Sequence, residues 1–121
     1  MAVRLNRRAY EHAKLLVAEG RLVADDRDAW SEHRPSAREE NAYLQAHGFS
    51  EYGRWYLGVD DGRPNDTKAH YKYPYGDFER AHRCAVLSAE SRAGQYGHKD
   101  VQSAAAHLHG MIEGAHAASG R

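Results

Sequence analysis

The chain has a single cysteine, Cys84, so no internal disulfide can form. Prolines number three, and no apolar run approaches the roughly 18 residues of a membrane span or resembles the core of a signal peptide. These absences argue against a disulfide scaffold and a membrane protein, and lead to the expectation of a soluble, cytoplasmic chain. An excess of either charge is missing as well: 17 basic residues balance 17 acidic ones, and the pI is about 7.1. A dedicated DNA-binding face normally shows a clustered basic stripe and a high pI, so that class is disfavoured. Aliphatic core material is scarce. There are 8 Leu, 6 Val, 1 Ile and 2 Phe in 121 residues, below the roughly 20% at which chains of high net charge become disordered. Without net charge that route to disorder is closed.

What is present in quantity is tyrosine and alanine, 8 and 20 residues, with two tryptophans. Large amphipathic rings against small alanine faces can close a core, provided the hydroxyls and indole N–H groups find partners. The expectation is one domain over residues 1–113 with a flexible tail over 114–121. Its class is mainly α (α+β), about four helices with one small two-stranded β element.

The first helix is expected from about Arg4 to Glu19, since Leu5, Ala9, Ala13 and Leu16 recur at helical spacing and Gly20 follows. Ser36 and Glu39 form a capping box for a second helix ending near His47, with Gly48 as its stop. Residues 54–60, RWYLGVD, alternate as a strand does, with Trp55, Leu57 and Val59 on one side. Residues 65–73 admit two readings: a helical turn capped by Asn65 or Asp66, or a strand in which Tyr71-Lys72-Tyr73 pairs back on Trp55–Leu57. A third helix is expected from Phe78 to about Tyr96, capped by Asp77. A fourth follows, capped by Asp100, with a stripe of Val101, Ala104, Ala105, Leu108, Met111 and Ile112.

Nine histidines raise the question of metal. A helix chelates through residues three or four apart, and no two histidines have that spacing. Only a site assembled from distant histidines remains, and the expectation is no metal and no cofactor. Asp60-Asp61-Gly62 lacks the alternating ligands of a calcium loop. Cys84, inside the expected third helix, reads as a small core residue. No nucleophile elbow, phosphate loop or dinucleotide fingerprint occurs, so no catalytic residue is assigned.

Two features pass this filter. His82 and Arg92 fall beside the apolar stripe of the third helix, where a buried charge or imidazole needs a partner. The structural reading pairs Arg92 with an acidic residue and His82 with a carbonyl or a tyrosine hydroxyl. The functional reading is an anion pocket in which Lys72, His82 and Arg92 converge beside Tyr73 and Tyr75. The stretch AHYKYPYGDFERAH supplies the aromatics. Period-2 alternation ahead of Pro74 assigns Tyr73 to the core and leaves Tyr75 as the exposed ring.

The runs YGRWYLGVD, TKAHYKYPYGDF and SRAGQYGHKDV resemble a set of small uncharacterised bacterial proteins, largely actinobacterial, over about residues 4–113. Residues 70–113, a lysine–aromatic–proline segment followed by two helices, are similar to a short module of tailed-phage and prophage proteins. The resemblance implies a bacterial cytoplasmic protein with a mobile-element history, and no reaction. Three functions follow in order. The first is a non-enzymatic protein-interaction module, through a protein partner or self-association. The second is binding of nucleic acid or a nucleotide through a Tyr/Lys/Arg surface. The third is a small enzyme with a pocket around His82 and Arg92.

Overall fold

The computed structural model describes residues 2–119, with side chains through Ala115. A short strand β1 (Val3–Leu5) precedes helix α1 (Arg7–Ala18), so the first helix starts three residues later than its periodicity predicts. The reason is Asn6. Its side-chain oxygen accepts from the Ala9 amide, while its side-chain nitrogen donates to the carbonyls of Gly53 and Tyr56 at 2.9 and 3.0 Å. One residue therefore caps the helix and fastens its start to the middle of the chain.

Strand β2 (Leu22–Val23) and a single-turn helix α2 (Trp30–His33) lead to α3 (Ala37–Tyr52). The capping box of Ser36 and Glu39 forms as expected. Gly48 ends the first helical run as expected, and a second run follows directly to Tyr52. It adopts φ 81°, ψ 172°, a conformation left almost entirely to glycine. The resumed turn delivers Tyr52 and Trp55 into the core.

Strand β3 (Tyr56–Asp60) is buried along its whole length, unlike a strand with one solvated face. It lies centrally in a three-stranded antiparallel sheet ordered β1-β3-β4, with β4 at Tyr71–Pro74. The register places Leu5 opposite Gly58, Lys72 opposite Gly58 on the other edge, and Tyr56 opposite Pro74. Both readings of residues 65–73 are realised in part: a 3-10 turn at Lys68–His70 runs directly into β4. Gly58 is required at its position. A Cβ there would come within 2.8 Å of the Tyr73 ring, which lies across the strand.

The expected third helix is shorter than its apolar spacing suggests. Phe78 takes φ 71°, and strand β5 (Ala81–His82) pairs in parallel with β2 before α4 (Arg83–Tyr96) begins. Asp77 closes a turn instead of capping a helix, accepting from the amides of Glu79 and Arg80. Helix α5 (Lys99–Ser119) packs along α4 and against α1. Asp100 ties its start to β1 by accepting from the Leu5 amide at 2.8 Å. The segment expected as a tail from Gly114 is helical through Ser119; residues 120 and 121 of that segment lie outside the described residues. The fold is thus α+β with five α-helices, a three-stranded sheet and a two-stranded parallel pair among the described residues, in place of four helices and one hairpin. No helix is long and apolar enough to cross a membrane.

The core is aromatic with its polar atoms satisfied. Trp55 and Tyr75 stack at 5.6 Å, and Tyr52 packs on Tyr56 at 4.7 Å. The Tyr56 hydroxyl donates to that of Tyr52 and the Tyr75 hydroxyl to the Arg54 carbonyl, both at 2.7 Å. Trp55 Nε1 donates to the Tyr43 hydroxyl. Among the described residues no buried side-chain nitrogen or oxygen lacks a partner.

Candidate functional site

Strand β4 and helix α4 bring Lys72, Tyr73 and Arg92 to one cavity of about 280 Å³. Arg34, at the end of α2, and His98, between α4 and α5, complete its polar lining. Trp30 and Tyr96 give it aromatic walls. No carboxylate lines it. A neighbouring hollow of about 380 Å³ shares Trp30, Arg34, Ser88 and Arg92, and adds Arg27 and Asp28. Arg34, Lys72 and Arg92 make no ion pair and no side-chain hydrogen bond among the described residues. Arg7, Arg27, Arg38, Arg63, Arg80 and Lys99 likewise make no ion pair among the described residues; what sets Arg34, Lys72 and Arg92 apart is that they share one cavity.

Tyr73 is held in an unusual state there. Its φ is 62°, an uncommon region for a residue with a side chain, and Pro74 follows directly. Its hydroxyl lies 2.6 Å from His98 Nδ1. Strained backbone of this kind concentrates at ligand sites, where the surrounding structure enforces it.

Two of the residues placed here from sequence are elsewhere. Tyr75 is fully buried, stacked on Trp55, and is no surface anchor. The alternation argument assumed an extended backbone; the positive φ at Tyr73 breaks it, so Tyr75 enters the core while Tyr73, partly buried, packs at the core's edge. His82 is also buried, and it meets two carboxylates in place of a carbonyl or tyrosine hydroxyl. Arg92 is exposed with no acidic partner, so the network that would have buried it does not form. Once α4 begins at Arg83, His82 and Arg92 no longer share a helix.

Around His82 lies a second constellation. Asp25, whose side chain is 5% exposed, receives His82 Nδ1 at 2.7 Å, His33 Nδ1 at 2.7 Å and Cys84 Sγ at 3.0 Å, all on Oδ2. Its Oδ1 accepts from the Cys84 amide at 2.8 Å. The far nitrogen of His82, Nε2, lies 2.8 Å from Asp77 Oδ2. Trp30 covers the imidazole, ring centres 5.6 Å apart. Burial acts upward on the Asp25 carboxyl, but the thiol, the amide and the two imidazoles outweigh it and hold the group well below the usual carboxylate range. Asp77 follows the same pattern: burial opposes, and His82 with the Arg80 and Glu79 amides prevails downward. Burial, reinforced by Asp25, pushes the Cys84 thiol up to about 12, which makes it a poor nucleophile.

Asp25 and His33 carried no sequence signal of this kind. Asp25 belongs to an acidic run that reads as a solvated turn, and it stands 57 residues from His82. Arg34 and His98 were equally silent, one beside a proline and the other in a helix–helix link.

The chain matches no family model, no curated protein and no solved structure in the comparisons made.

Proposed function

We propose that the protein is a non-enzymatic binding protein for a phosphorylated ligand bearing a flat ring, of the nucleotide class. The observation that carries this is the trio of unpaired cations Arg34, Lys72 and Arg92 on one cavity free of carboxylates and walled by Trp30, Tyr73 and Tyr96. Cations left without a partner on a concave surface favour an anion, and a guanidinium matches phosphate oxygens two at a time. Aromatic walls supply stacking for a base. This places the nucleotide reading ahead of the protein-interaction reading. Among the described residues the large apolar side chains left exposed are Leu15 and Tyr96, each 59% exposed, and Tyr96 already belongs to the cavity. Two separate side chains fall short of the contiguous apolar patch that marks a docking face.

Titration calorimetry with AMP, ADP and a short single-stranded oligonucleotide tests the proposal. Arg92→Ala should weaken binding by about 10- to 100-fold, the value of a charge-assisted hydrogen bond. It should leave the unfolding free energy within the roughly 0.5 kcal/mol typical of surface changes. Affinity should fall as salt rises, and for the oligonucleotide the slope reflects the number of phosphates neutralised. The absence of saturable binding by any of the three probes at millimolar concentration, or unchanged affinity in Arg92→Ala, overturns the reading.

A further inference from the structure

We infer that Asp25, His33, His82 and Cys84 form a binding site for one divalent transition metal ion of the zinc type, with Asp77 holding His82 from behind. The four donor atoms come from three separate segments and lie within 4.8 Å of one another. One carboxylate, two imidazoles and one thiol suit zinc, which takes four such ligands in structural sites. The far side of His82 is a second, independent observation. A metal-bound imidazole characteristically gives its other N–H to a carboxylate, which fixes the tautomer and the ring plane. Asp77 Oδ2 stands at that position, 2.8 Å from Nε2, and is itself held by the Glu79 and Arg80 amides.

Counting protons explains why a cation suits this place. Without one, three donors crowd Asp25 Oδ2 and His82 faces a carboxylate at each nitrogen. With one, the Cys84 thiol gives its proton to solvent and both imidazoles are neutral. The His82 proton then resides on Nε2 toward Asp77. One thiolate and the Asp25 carboxylate balance the two charges of the ion, so the buried centre is neutral. Bonds of about 2.0–2.3 Å from a central ion require the four donors to stand about 3.3–3.7 Å apart. The three contacts to Asp25 Oδ2, at 2.7–3.0 Å, must lengthen by a fraction of an ångström to about one ångström, while the other donor pairs, up to 4.8 Å apart, draw in by about as much.

The site has a structural consequence for the cavity beside it. Asp25 and His33 bracket the segment that carries Trp30 and precedes Arg34, while His82 and Cys84 sit at the start of α4, which carries Arg92. An ion at the junction fixes one cavity wall against the other. Ligand binding at the cations and metal binding at the cluster are separate measurements, so either proposal can fail alone.

The experiment uses the untagged full chain. After removal of metal with a chelator, zinc is titrated in against a chromophoric competitor, and cobalt is substituted in parallel. The expected result is one tightly bound zinc per chain. The cobalt protein should show the visible absorption of a tetrahedral site and a thiolate charge-transfer band, which can come only from Cys84, the single cysteine. Cys84→Ser should abolish that band. Asp77→Asn should weaken zinc binding about 10- to 100-fold. His33→Ala, a change at an exposed residue, should keep the native circular dichroism and lower affinity as well, which guards against a folding failure in the cysteine variant. Lack of stoichiometric zinc, a cobalt spectrum without the sulfur band, or zinc affinity unaltered in both His33→Ala and Asp77→Asn overturns the inference.

Discussion

Tyr73 and Tyr75 flank one proline and have opposite surroundings. Tyr75 contributes a whole ring to the core, with its hydroxyl bonded to the Arg54 carbonyl and lying 2.6 Å from His12 Nδ1. Tyr75→Ala should therefore cost about 3–5 kcal/mol, as other large-to-small aromatic core changes do. Tyr75→Phe keeps the ring, takes the hydroxyl donor away from the buried Arg54 carbonyl, and should cost about 1–2 kcal/mol. Denaturant melts measure both, and a loss below about 1 kcal/mol for the alanine variant would show that the ring is not core. Three of the five residues picked from the sequence, Lys72, Tyr73 and Arg92, do share one cavity. Lys72 and Tyr73 were legible because an aromatic-basic cluster around proline is local in the chain, whereas Arg92 was picked from the stripe of the expected third helix. The sense of Tyr73 and Tyr75 was not legible, because alternation presumes negative φ and gives no warning of a single residue at 62°.

At the level of elements, what the sequence declared well was capping, and what it declared poorly was length. The Ser36 and Glu39 box formed as read, since its partners are three residues apart. The break at Gly48 also formed as read; the second helical run from there to Tyr52 is what the sequence left undeclared. Gly48 is open to solvent and a Cβ there meets nothing within 4 Å, so its role is conformational. Gly48→Ala should thus destabilise by about 1–3 kcal/mol, the cost of forcing a side chain into a region nearly reserved for glycine. Its melt should recover with Gly48→D-Ala made by chemical synthesis, since the mirror-image residue prefers positive φ. Equal stability of the L-alanine variant would mean that the helix straightens without loss. The β5 to α4 boundary was hidden for a different reason. Phe78, Ala81 and Ala85 fit helical spacing by coincidence, while the Asp77 turn and the pairing of Ala81 with Leu22 depend on a partner 59 residues away.

For the molecule as a whole, a core built from tyrosine sets an alkaline limit. Burial pushes Tyr52 up to about 12 and moves Tyr56 and Tyr75 in the same direction, further still. In the unfolded chain these phenols ionise near their ordinary value of 10. Below that pH both states keep the protons and the contribution to stability is complete. As pH rises from about 10 to 12 the unfolded state sheds protons that the folded state retains, so stability must fall through that window. Urea midpoints at pH 8 and pH 11 test this, together with tyrosinate absorbance: part of the signal should appear only on unfolding. A midpoint that does not change over this range would contradict the buried hydroxyl network.

The segment from Arg21 to His33 has its ties far downstream. Arg21 bonds to Glu79 and Ala81, Leu22 and Val23 pair with Ala81 and His82, and Asp25 meets His82, Arg83 and Cys84. On the ribosome, at about 5–20 residues per second, the 57 residues between Asp25 and His82 take about 3–11 s to make. For that interval Leu22, Val23 and Trp30 have been synthesised and their docking surface has not. Docking of this segment therefore waits until His82 and Cys84 have been made, after the sheet of β1, β3 and β4 has all its strands. The nascent chain carries an unburied apolar stretch for seconds, and that is where a chaperone or a protease would meet it first.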